Sequence, residues 1–152
     1  MLEISEIFNA AAVLKDVARK TAVIPAPKLC PGLDLYLKTE NLQLTGSFKL
    51  RGAYYKISQL TDEEKKRGVI ACSAGNHAQG VALGATHSGI KSLICLPAGA
   101  PISKIEATKG YGAEVCLVPG VYDDAYAKAI ELQKEHGYTF VHPFDDPKVI
   151  AG

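Results

Sequence analysis

The sequence predicts an α/β fold in which a small parallel sheet carries helices on both faces. Two observations predict it. From residue 61 onward, short runs at 69–73, 92–96, 114–118 and 138–142 are largely apolar, as strands buried on both sides must be. Helical stretches of about 10–15 residues separate them, the spacing of β-α-β units, and each pass has its own loop chemistry, with no tandem repeat.

The elements follow in order. Residues 6–20 read as an amphipathic helix: Ser5 can cap it, and Ile7, Ala11, Leu14 and Ala18 recur at helical spacing. Residues 21–32 hold three prolines and no clear period, which predicts an extended connector. Residues 33–38 alternate as a half-buried strand, and a helix is expected over 49–60 with Ser47 as its cap. Thr61 and Glu64 form a capping box that opens a short charged helix, whose run from Asp62 to Arg67 reads as a solvated face. Residues 76–88 form a helix rich in alanine and glycine. Pro97 closes the second apolar strand, and Ser103 with Glu106 predicts a second capping box, its helix running to Lys109. A long helix over 122–136 carries Ala125, Ala129 and Leu132 on one face, with Tyr122, Asp123 and Asp124 at its cap. The right-handed crossover rule sets the hand of each unit. Residues 145–152 read as a helix start without a partner, so the chain is expected to be a piece of something longer.

Composition narrows the function. A length of 152 residues fits one domain, and 47% hydrophobic with 22% charged residues is ordinary for a globular protein. A net charge of +1 gives no electrostatic case for nucleic acid or an anionic membrane surface. No apolar run approaches the roughly 20 residues of a membrane span, and the acidic N-terminus is no signal peptide. Cys30, Cys72, Cys95 and Cys116 include no C-x-x-C pair, and three of them lie in strand-like runs as small hydrophobes, which predicts a reduced, cytoplasmic protein. His77, His87, His136 and His142 lack metal-ligand spacing, so no metal site is expected.

Two stretches carry candidate chemistry. In the first, residues 45–53, a glycine precedes a helix whose first turn holds Lys49. The positive end of the helix dipole repels a cation there, so Lys49 is either a solvated lysine or one kept for its amine. A crowded amine beside positive potential gives up its proton more easily, which capture of a carbonyl requires. In the second, residues 73–80, a strand ends and a helix begins at Ser73, Gly75 and Asn76. Ligands gather beyond the carboxyl ends of such strands, and free N–H groups at a helix start accept an anion. Plain helix capping explains Ser73 or Asn76 equally well. Arg51 reads as a helix-surface ion pair, Glu40 and Asn41 either support the lysine loop or end a strand, and residues 142–146 read as a hinge.

Glu40-Asn41-Leu42-Gln43, then Gly46-Ser47-Phe48-Lys49-Leu50-Arg51-Gly52-Ala53, then Ser73-Ala74-Gly75-Asn76-His77-Ala78-Gln79-Gly80 together resemble the fold-type II pyridoxal phosphate enzymes, above all the threonine (serine) dehydratase branch. Leu96-Pro97, Lys104, residues 111–115 and 122–125, and His142-Pro143-Phe144-Asp145-Asp146 extend the resemblance over nearly the whole chain. It implies pyridoxal 5'-phosphate as cofactor, with Lys49 as the catalytic Schiff-base lysine, Phe48 against the cofactor ring and Asn76 on the ring hydroxyl. Ser73, Gly75, Asn76 and His77 would receive the carboxylate of a small amino-acid substrate. The implied reaction is deaminating dehydration of L-threonine, and of L-serine, to a 2-oxo acid and ammonia, as in isoleucine biosynthesis. The implied organisation is residues 1–60 as the N-terminal part of a larger α/β domain, 61–143 as a small mobile domain, and 144–152 as a truncated return, within a homo-oligomeric full-length parent.

Departures from the family pattern are also legible. Ala22 follows Thr21 where proline is usual, and Ala74 stands where the serine racemase branch has a second serine, which favours elimination over racemisation. The glycine-rich phosphate loop of the family would lie beyond Gly152, so the chain alone is expected to be inactive. Serine racemase activity and a non-catalytic α/β binding module are the alternatives.

Overall fold

The computed structural model describes residues 2–152. Its centre is a four-stranded parallel sheet built from β3 (Val69–Cys72), β4 (Ser92–Pro97), β5 (Glu114–Val118) and β6 (Thr139–Phe140), in the spatial order β5-β4-β3-β6. Register pairs Cys72 with Cys95 and Cys95 with Cys116, so three thiols stand side by side across the sheet. Burial pushes the Cys72 thiol up to about 11 and Cys95 up to about 12, which keeps both neutral. They act as small hydrophobes under a helix, as their sequence context predicts.

Helices cover both faces. On one side α2 (Lys49–Ser58), α4 (Asn76–His87) and α5 (Ile102–Gly110) bury Ala53, Ile57, Val81, Ala85 and Ile105 against Val69, Ala71 and Ile94. On the other side α6 (Tyr122–His136) packs Ala125 and Ala129 on Ile70, Cys72 and Cys95. The short α3 (Asp62–Arg67) has the predicted box, with Thr61 Oγ1 accepting from Glu64 N and Glu64 Oε2 accepting from Thr61 N.

Several boundaries differ from expectation. Helix α1 (Ile4–Leu14) starts from Glu3 with no side-chain cap, so Ser5 lies inside it, and it ends six residues before Lys20. The connector contains a strand, β1 (Val23–Pro25), pairing antiparallel with β2 (Tyr36–Lys38). Every residue of both is exposed, which corrects the half-buried expectation. Helix α5 begins at Ile102 after Pro101, whose fixed φ starts the turn, so Ser103 is not its cap. The expected helix start near residue 146 is real: Asp146 Oδ1 accepts from Lys148 N and Val149 N to open α7 (Pro147–Ala151), and Asp146 Oδ2 pairs with Lys56. Among the described residues no helix is long and apolar enough to cross a membrane.

Candidate active site

Strand order locates the site before any side chain does. The chain runs β3, β4, β5 outward in one direction, then returns through α6 to place β6 on the other side of β3. The order therefore reverses at β3, and an open α/β sheet binds ligands in the crevice past the carboxyl ends at such a reversal. Two loops leave the sheet there: residues 73–75 after β3, and residues 141–146 after β6.

Lys49 is brought to the second of these loops. It is the first residue of α2, with its backbone N–H donated to Ser47 Oγ at 3.4 Å; Ser47 thus supports the first turn while Phe48 occupies the cap position. Thr45 Oγ1 donates to the Ser47 carbonyl, and Tyr111 Oη to the Leu44 carbonyl at 3.1 Å, so the loop before Lys49 is held at several points. The ammonium reaches across 94 residues to the carbonyl of Pro143, at 2.7 Å, and sits 5.2 Å from the centroid of the exposed Phe48 ring. Lys49, Phe48, Gly52, Pro143, Phe144 and Ile150 line a cavity of about 470 Å³, within the size range of small-molecule sites.

The Ser73–His77 turn is not part of that wall. Ser73 Oγ accepts from Gly75 N at 3.2 Å, which folds the turn on itself. Asn76 starts α4 with its side chain exposed, and Lys104 Nζ donates to its Oδ1 at 3.4 Å. His77 faces inward instead: it is 3% exposed, and its Nε2–H donates to the Val141 carbonyl at 2.9 Å, joining the two loops. Burial, then the charge of Lys49 and His142, pushes its pKa down to about 4 despite that bond. A side-chain contact from His77 to a ligand is therefore blocked, while its backbone N–H remains at the helix start. One turn further on, Gly80 is packed against the Lys49 backbone, so Lys49 and the Asn76 turn share one helix contact.

Behind the lysine, Arg51 grips Glu40 through Nε at 2.9 Å and Nη2 at 2.8 Å, and Thr21 Oγ1 donates to the same carboxylate at 2.6 Å. The guanidinium holds the Glu40 carboxyl down at about 2. This is the ion pair expected for Arg51, and it fixes the approach to the lysine loop. Sequence reasoning missed the Pro143 carbonyl, the Lys104 contact and the role of Gly80. Only Gly80 left a trace, as one of two glycines four apart on a helix. No group of acidic, histidine and cysteine residues that could hold a metal occurs among the described residues.

The chain is similar to known proteins over nearly its whole length. Residues 14–152 match the family model of pyridoxal-phosphate dependent enzymes, and the chain belongs to that family. It is 51% identical over 154 residues to the L-threonine ammonia-lyase of Thermotoga maritima, a match covering 100% of this chain and 38% of that protein. Among solved structures, the processed form of threonine deaminase isoform 2 from Solanum lycopersicum superposes with a TM-score of 0.88 at 39% identity, over 99% of this chain and 43% of that one. Maize serine racemase superposes with a TM-score of 0.92 at 33% identity, over 98% and 46%. The chain thus spans less than half the length of each.

Proposed function

We propose that this chain supplies the reactive lysine and the substrate-carboxylate turn of a pyridoxal-phosphate-dependent enzyme that deaminates L-threonine, and L-serine, to a 2-oxo acid and ammonia. The observation carrying the reading is that the Lys49 backbone packs on Gly80, one helical turn past Asn76, in a sheet whose strand order reverses at β3.

The residues present fit the cofactor. Lys49 offers an amine beside an aromatic face and an open cavity, and Asn76 offers an exposed carboxamide suited to a ring hydroxyl. When bound, pyridoxal phosphate supplies an electron sink for the pair left on the substrate α-carbon. Lys49 Nζ would hold the cofactor aldehyde and, as a free amine, would take the α-proton of the substrate. Phe48 would lie against the cofactor ring. Ser73 and the N–H groups of Gly75, Asn76 and His77 orient the substrate carboxylate at the positive end of α4. Ala74 brings no hydroxyl to an opposite face, which favours elimination over the racemase alternative.

On this reading residues 1–60 begin the larger domain, 61–143 form the smaller one and 144–152 return to the larger. Ala53, Ile57 and Leu60 pack with Val69 and Val81, so the first two parts meet across a shared core. Assay of the full-length protein with L-threonine and L-serine tests the proposal, following 2-oxo acid and D-serine together. The expected result is 2-oxo acid in excess, with Lys49→Ala lacking both turnover and the cofactor's visible absorbance. An unchanged spectrum in that variant ends the assignment of Lys49.

A further inference from the structure

We propose that His142 is a positioning residue for Lys49: its Nδ1 lone pair holds the turn that presents the Pro143 carbonyl to the Lys49 ammonium. The inference rests on the reading of Lys49 given above and adds a residue to that site.

Nδ1 of His142 accepts from Asp145 N at 2.7 Å and from Phe144 N at 3.3 Å. Both donors are backbone amides, so Nδ1 must be the unprotonated nitrogen of the ring. Upstream the loop is fixed by Val141 N donating to the Ile70 carbonyl at 2.9 Å, and downstream by the Asp146 cap of α7. Between those points Phe144 and Asp145 direct their amides to the imidazole. Pro143, inside that turn, has a carbonyl with one job in view, the 2.7 Å bond to Lys49 Nζ. Remove the acceptor at 142 and the two solvent-facing amides turn to water, so the ties that shape the turn around that carbonyl are gone.

The ring also packs. Phe144 stands edge-on to it, with centroids 4.7 Å apart and planes at 84°, and Phe140 lies 6.2 Å away. Acceptance and packing therefore have to be separated, and three substitutions in the full-length protein do so. His142→Asn keeps an acceptor at the same number of bonds from the backbone but loses the ring. His142→Phe keeps a ring without an acceptor, and His142→Ala has neither.

The first readout needs no cofactor: the rate at which Lys49 is modified by trinitrobenzenesulfonate in cofactor-free protein, read by peptide mass spectrometry. His142→Phe and His142→Ala should release the amine and speed its modification severalfold, while His142→Asn stays near the wild-type rate. The second is kcat for 2-oxo acid formation, expected to fall on the order of 10–100-fold in the Phe and Ala variants with KM little moved. His142→Asn should recover most of that loss. If His142→Phe matches wild type while His142→Asn behaves like His142→Ala, packing is what matters and the proposal is overturned. If wild type forms no 2-oxo acid but the modification series holds, the positioning role stands and the functional reading falls. Should His142→Ala fail to fold, the Asn and Phe variants still decide.

Discussion

Gly80 touches Lys49: a β-carbon at position 80 would stand 3.0 Å from both the carbonyl carbon and the carbonyl oxygen of the lysine. Helices α2 and α4 therefore meet backbone to backbone, and the amine's position along the crevice is set by the absence of a single methyl group.

Gly80→Ala should destabilise the fold by about 1–3 kcal/mol, because the neighbour that must yield is main chain rather than a flexible side chain. Urea unfolding at constant m-value measures this, and the same variant should disturb Lys49. Gly84, four residues on, faces Ile57 Cδ1 at 3.2 Å and Tyr54 Cα at 3.3 Å. A methyl there meets a movable side chain on one side, so Gly84→Ala should cost less.

Glu40→Gln should cost about 1–2 kcal/mol at neutral pH once solvent screening of the pair is allowed for. The wild-type carboxyl sits at about 2 when folded, against 4.5 for an unperturbed glutamate. A depressed acid contributes its stability above the unfolded pKa and loses it as pH falls towards the folded one. The gap between wild type and variant should therefore close between about pH 4.5 and 2 in urea melts. A gap unchanged across that window would mean Arg51 does not stabilise the charged form.

His77 should show no titration between pH 8 and 5 in a proton NMR experiment, since its folded pKa is about 4 against 6.5 for an unperturbed histidine. Here the sign runs the other way from a paired histidine. The unfolded chain takes up the proton first, so the contribution is present above pH 6.5 and disappears as pH falls from 6.5 to 4. An apparent pKa above 6 for this ring would mean it is not the inward-facing neutral group bonded to Val141.

The sequence announced what local chemistry decides. Thr61 and Glu64 cap a helix three residues apart, and buried strands such as Val69–Cys72 are apolar at every position, so both were legible. Ser103 and Glu106 had the same spacing as a true box, but Pro101 had already started the helix. β1 escaped because Val23, Ile24 and Pro25 are exposed and become a strand only by pairing with Tyr36–Lys38. At the site, Lys49 and Asn76 stood out by their loops. The Pro143 carbonyl could not, since any residue offers one, and its partner is 94 positions away.

The ends of the described chain are clasped. Glu6 in α1 accepts from Lys148 in α7 at 2.7 Å, across 142 residues, and Ala10, Tyr55 and Ala151 close a small cluster beneath that bond. During synthesis α1 therefore has no finished docking surface until α7 has been made.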